Sequence, residues 1–177
     1  MIFTRRIARI TVAMVSAGGV AIGWSTSALA TSSHKGGDHG SPHGGSLLLQ
    51  APLAPSVPSP SDPSIFGVAP GGAPWQLQHG KVQLGQNGTI RIDVGGLVLT
   101  STGANPLPDI AASVFCNGAL AGTTAPVPFS TIGDAQIHAT ISLPSTCLAP
   151  TVMLNPATGS LSTSVKPGTY IGIDGSA

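Results

Sequence analysis

Ala135, Ile137, Ala139, Ile141 and Leu143 alternate with Gln136, His138, Thr140 and Ser142, and this strict period of two most limits what the chain can become. Side chains on a strand point alternately to opposite faces, so the run demands a sheet with one buried and one solvated side. Pro144 ends the run, and Cys147 follows, available to pair with Cys116, the only other cysteine. Alanine and isoleucine make up most of the buried side. The facing layer must therefore come close or carry larger partners such as Phe115 or Leu97.

The same grammar recurs along the second half of the chain. Lys81 to Leu84 reads as a strand, Gly85-Gln86-Asn87-Gly88 as a turn, and Thr89 to Val94 as a strand with Ile90, Ile92 and Val94 on one face. Leu97-Val98-Leu99 is a short apolar strand, and Asn105-Pro106-Leu107-Pro108 marks a loop. Ile110, Ala112, Val114 and Cys116 share one face of a strand that stops at Asn117-Gly118, a strong hairpin signal, with Ala119 to Ala125 as the return. Pro126 and Pro128 place the next segment at a sheet edge or crossover. Thr151 to Leu154 and Thr169 to Ile173 complete a set of seven or eight short strands, with no run of helical period among them. The expectation is all-β: a small antiparallel β-sandwich of immunoglobulin-like architecture over residues 75–177. The tryptophan that immunoglobulin domains place between their cysteines is missing, so the expectation concerns architecture, not membership.

The first 30 residues carry a different signature. Arg5, Arg6 and Arg9 precede a short apolar run and then Ala28-Leu29-Ala30, which predicts a signal peptide cleaved after Ala30. The run is too short for the roughly 20 residues of a membrane-spanning helix, so no membrane insertion is expected after cleavage. Ala8-Arg9 stand where a twin-arginine signal wants apolar residues, so ordinary export is preferred. Removing this segment leaves four basic residues against six aspartates, a formal charge of −2 with histidine neutral. That removes the electrostatic motive for nucleic-acid binding. The expected location is outside the cell or in its envelope.

Residues 31–74 hold eight prolines and eight glycines, a composition that predicts a disordered linker, extended where Ala51 to Pro63 is proline-rich. Leu47-Leu48-Leu49 and Ile65-Phe66 are its apolar islands. His34, Asp38, His39 and His43 form a Gly/His tract that can collect Cu(II), Ni(II) or Zn(II) weakly. Glycine-rich spacing does not fix such ligands as a selected site would, so no cofactor is expected. Two cysteines in an exported chain are most simply one disulfide, and a Cys116–Cys147 bridge would stabilise by roughly 3.7 kcal/mol through the loop it closes.

Gly96-Leu97-Val98-Leu99 with Gly103-Ala-Asn-Pro106, Ala112-Ser-Val-Phe-Cys116, Gly133-Asp134-Ala135 through Cys147-Leu-Ala-Pro150, and Tyr170-Ile-Gly-Ile-Asp-Gly175 together resemble a group of small uncharacterised secreted bacterial proteins. The resemblance spans about residues 80 to 175. It implies a secreted domain with a paired cysteine, and brings no activity or catalytic residue with it.

Two kinds of function can be framed. A hydrolase would need a base, an orienting acid and a nucleophile in one cleft, and His138 with Asp93 and Thr140 or Ser142 could supply them if their strands were neighbours. No nucleophile elbow accompanies these residues, so a solvated sheet face and a non-catalytic binding or structural module is the favoured expectation. Recognition then belongs to the longest loops, 101–109 and 125–134, with an extracellular or envelope protein as partner. Trp75, Phe115, Phe129 and Tyr170 are needed by the core, which argues against a carbohydrate stacked on aromatic platforms.

Overall fold

Alternating apolar runs such as Thr89–Gly95 and Ala135–Thr140 become paired backbone. The computed structural model describes residues 46–157 and 167–175, all inside the unit Ser41–Ala177. It is all-β, without helix among the described residues. Thirteen strands are defined: β1 (Leu47–Pro55), β2 (Ala69–Pro70), β3 (Trp75–Gln76), β4 (His79–Gly85), β5 (Thr89–Gly95), β6 (Val98–Leu99), β7 (Asp109–Cys116), β8 (Ala119–Thr123), β9 (Val127–Pro128), β10 (Ala135–Thr140), β11 (Thr151–Pro156), β12 (Thr169–Tyr170) and β13 (Gly172–Asp174).

Nine of them form one curled antiparallel sheet in the order β10-β5-β4-β1-β13-β11-β7-β8, with β9 also on β7. Strand β1 is where it turns: its first part pairs with β4 (Gln50↔Gln83, Pro52↔Lys81) and its last part with β13 (Leu53↔Asp174, Pro55↔Gly172). The inner face gathers Val82, Leu84, Ile90, Ile92 and Ile137 from one side of β1 with Ile110, Val114, Val152 and Leu154 from the other. Burial of these aliphatic side chains is the main driving force for the curl, at about 25 cal/mol per Å².

The linker expectation for 31–74 is corrected for residues 46–74; residues 31–45, like the predicted signal peptide of 1–30, lie outside the described residues. Residues 46–74 belong to the fold, and the boundary at Trp75 falls inside it. Leu47–Pro55 is a central strand, and Pro52 sits at the hand-over between its two partners, where a missing N–H costs least. The proline-rich segment behind it straps the outer face of the β7-β11-β13 half. There Val68 packs with Phe115, Met153 and Tyr170, the Tyr170 hydroxyl donates to the Pro63 carbonyl at 2.9 Å, and Phe66 stacks on Phe115 with centroids 5.3 Å apart. Phe115 therefore does not face the strand of 135–140, as its place in the sequence suggested; Leu97 does join that core. Phe115 sits between Val114 and Cys116, whose side chains point inward, so its own must point out.

Strand β10 stops at Thr140, earlier than Leu143, and one further bond in register, from the Ile141 amide to Gly88 O, carries the chain to the turn before β5. The chain then crosses the open seam of the curl. The Cys116–Cys147 disulfide, 31 residues apart in sequence, joins the end of β7 to this crossing segment. Asn117 reinforces it, donating from Nδ2 to Thr146 O at 2.8 Å and accepting at Oδ1 from the Leu148 amide at 2.9 Å. Asn117 and Gly118 both have positive φ, 54° and 78°, as a two-residue hairpin with a matching twist requires. The two sheet edges come close enough that a Cβ on Gly122 of β8 would lie 2.8 Å from Ile141 Cγ2.

Candidate functional site

Two exposed regions carry the polar chemistry. At the end of the molecule away from the disulfide, the loops 101–109 and 125–134 meet. Asn105, 5 % exposed, ties them: Nδ2 donates to Leu107 O at 2.8 Å and to Ser130 O at 2.9 Å, and Oδ1 accepts from the Leu107 amide at 2.9 Å. The Asn105 amide also donates to Thr131 O at 2.8 Å. A third segment joins through Asp134, whose Oδ1 accepts from the Gly96 amide at 3.0 Å. Each bond satisfies a backbone group that a loop would otherwise leave to water, so the three segments form one fixed surface. Ile132 stands at its tip, 67 % exposed.

The second region is the outer face of β1, β4, β5 and β10. Cross-strand register aligns Gln50, Gln83, Arg91 and His138 in one row and Pro52, Lys81, Asp93 and Gln136 in the next. The strands of His138 and Asp93 are indeed neighbours, and both side chains are exposed on the same face. They stand on a diagonal, since His138 lies opposite Arg91 and Asp93 opposite Gln136. Thr140 shares the face, opposite Thr89, whereas Ser142 lies beyond the strand, in the groove against β8. A groove of about 160 Å³ runs over this face, lined by Lys81, Gln83, Arg91, Asp93, Gln136 and His138. That is below the few hundred Å³ usual for a small-molecule site.

Two groups have shifted protonation. Burial pushes the Asp174 carboxyl above the usual aspartate value, against hydrogen bonds from the Val152 amide and its own amide, which pull it down. Burial and the nearby Asp62 charge raise the Tyr170 phenol. Neither group lies on the face of His138, and both serve the packing around β13 and the strap.

His34, Asp38, His39 and His43 lie outside the described residues. Among the described residues no cluster of three or more His, Cys, Asp or Glu could hold a metal, and no helix is long and apolar enough to cross a membrane. Trp75, Phe115, Phe129 and Tyr170 are all buried. Asn87, part of a glycosylation-like triplet, accepts from the Thr89 amide at Oδ1 and closes its turn. Sequence reading named the two loops but missed the residue that joins them. Asn105 before Pro106 was legible as a turn signal, but not as a bond across 25 residues to Ser130.

No family model matches the chain, and no match is found among curated proteins or solved structures.

Proposed function

We propose that this chain is an exported, non-catalytic binding or structural module that works outside the cell or in the cell envelope and contacts an extracellular or envelope protein. In this reading the curled sheet is a small sandwich of immunoglobulin-like architecture. Strands β10, β5 and β4 make one layer, β13, β11, β7 and β8 the other, and β1 is shared. The apolar cluster drawing on both runs supports it. Export is supported by the basic, apolar and Ala-Leu-Ala segments of residues 1–30, and by a disulfide that suits an oxidising compartment.

The observation that carries the function is the loop end. A surface whose loops are locked by Asn105 loses little entropy on binding, and the exposed Ile132 offers an apolar anchor. The test uses the exported chain, which should begin at Thr31, immobilised against extract of the native envelope. The account expects a protein retained by the wild type, lost with Ile132→Asp, and kept with Thr89→Asp at the opposite end. Equal retention by all three would reject the loop end as the contact surface.

A second reading, a secreted hydrolase using His138 with Asp93, draws on the pairing of β5 with β10 that sets both on one face. It stands only if the wild type hydrolyses an ester, glycoside or peptide panel and His138→Ala abolishes that activity.

A further inference from the structure

Asn-Gly occurs twice in the chain, as Asn87-Gly88 and Asn117-Gly118, and each pair fills a turn. Asparagine is thermolabile, and a following glycine makes it more so, because no side chain keeps the glycine nitrogen from the asparagine amide. That nitrogen loses its proton and attacks Cγ. The new C–N bond closes a succinimide as the Cγ–Nδ2 bond breaks and Nδ2 leaves as ammonia. Water then opens the ring to aspartate or isoaspartate.

The two sites are guarded differently. Asn87 is held within its own turn: the Gly88 amide, which would have to attack, is buried and donates to Gly85 O at 2.9 Å, and Asn87 Oδ1 accepts from the Thr89 amide at 3.1 Å. Asn117 and Gly118 are exposed, and the Gly118 amide has no acceptor among the described residues. What restrains Asn117 comes from far along the chain. Its backbone amide donates to Leu148 O at 3.1 Å, its Nδ2 to Thr146 O at 2.8 Å, and its Oδ1 accepts from the Leu148 amide at 2.9 Å. Attack makes the planar amide tetrahedral and swings it toward the Gly118 nitrogen, so both side-chain bonds must break first.

Dependence also runs the other way. Among the described residues, every hydrogen bond made by residues 142–149 goes to Asn117. Most of that segment is exposed, with only Leu143 and Cys147 half-buried against the core. It stays docked through Asn117 and through the Cys116–Cys147 bridge. An aspartate at 117 sets a carboxylate oxygen against the Thr146 carbonyl, two acceptors where a donor and an acceptor met. Isoaspartate also lengthens the backbone of the hairpin turn.

We propose that Asn117-Gly118 is a deamidation site held shut by the docked 146–148 segment, and that its deamidation makes opening of the Cys116–Cys147 bridge one-way. A thiol reductant opens the bridge by taking the disulfide for itself and leaving two thiols. The segment then keeps only its bonds to Asn117, and each time they break Asn117 is free to cyclise. Once aspartate has formed, Cys147 is no longer presented to Cys116. A brief reduction is therefore reversible and a long one is not. This device lies on other segments than the loop end and is independent of what that surface binds.

Peptide mapping by mass spectrometry of the full chain, incubated in mildly alkaline buffer with and without dithiothreitol, tests it. Asn117 should deamidate about tenfold faster in the reduced protein, and Asn87 at nearly the same rate in both. Leu148→Pro removes the donor to Oδ1 with the bridge intact, and should speed deamidation at Asn117 severalfold without changing Asn87. Asn117→Asp, briefly reduced and then returned to oxidised glutathione, should regain the bridge severalfold more slowly than the wild type treated in the same way. The proposal is overturned if Asn117 deamidates equally with the bridge open or closed, if Leu148→Pro leaves Asn117 as slow as in the wild type or speeds Asn87 as much, or if Asn117→Asp recloses as fast as the wild type.

Discussion

Asn105 shows how one side chain can organise a surface that carries no secondary structure. Its amide group bonds backbone on both sides of a 25-residue gap in sequence, to Leu107 and to Ser130. Asp174 illustrates the opposite economy. It accepts from the Val152 amide at 2.6 Å, yet burial outweighs that bond and holds its carboxyl above the usual aspartate range. The folded state therefore binds this proton more tightly than the unfolded chain, whose value is near 3.8. Stability from Asp174 is full below the unfolded value and is lost as pH rises through the folded one. Urea unfolding should show the protein gaining stability on acidification through that window. Asp174→Asn keeps an acceptor for Val152 and should remove this part of the pH dependence; an unchanged profile in the variant would show that another group is responsible.

At the scale of elements, periodicity was a good guide wherever pairing and burial agree along one segment. Thr89 to Val94 and Ile110 to Cys116 read as strands because every second residue is buried, or nearly all are, and both are strands of the sheet. Leu47–Pro55 was illegible for a physical reason. It contains two prolines, and only Leu53 among its side chains is fully buried, so composition looks like a linker. What makes it a strand is its place: β4 on one side, β13 on the other, each supplying partners that no local pattern announces. The strap behind it was missed likewise, because Ile65, Phe66 and Val68 are too few to show a period, and their partner Phe115 lies far along the chain. Of the candidate surfaces, the loops were legible from their Pro and Gly content. The outer face that Lys81, Arg91, Asp93 and His138 share needed the register of the paired strands. A chain beginning at Trp75 should fail to fold, since β4 and β13 would each lose a ladder neighbour and Leu53 would leave the core. Circular dichroism and a proton NMR spectrum check this; dispersed amide signals from the truncated chain would refute the central role of β1.

The main sheet of the described residues is bent until its first and last edges approach, and an open seam of this kind exposes unpaired edge strands to other chains. Here the seam is closed by the segment after β10 and locked by Cys116–Cys147 at the end opposite the candidate contact loops. The proposed contact surface hangs on that closure, because the loop end bridges β7, β9 and β10. The bridge encloses 31 residues, so its loss should cost roughly 3.7 kcal/mol, a large part of the stability of a domain this size. The most direct measurement is equilibrium urea unfolding of the oxidised protein beside Cys116→Ser with Cys147→Ser, followed by the fluorescence of Trp75. A single cooperative transition in the wild type, moved to lower urea in the variant by about that free energy, is the predicted result. Coincident transitions would contradict the account, because the seam would then hold without its staple.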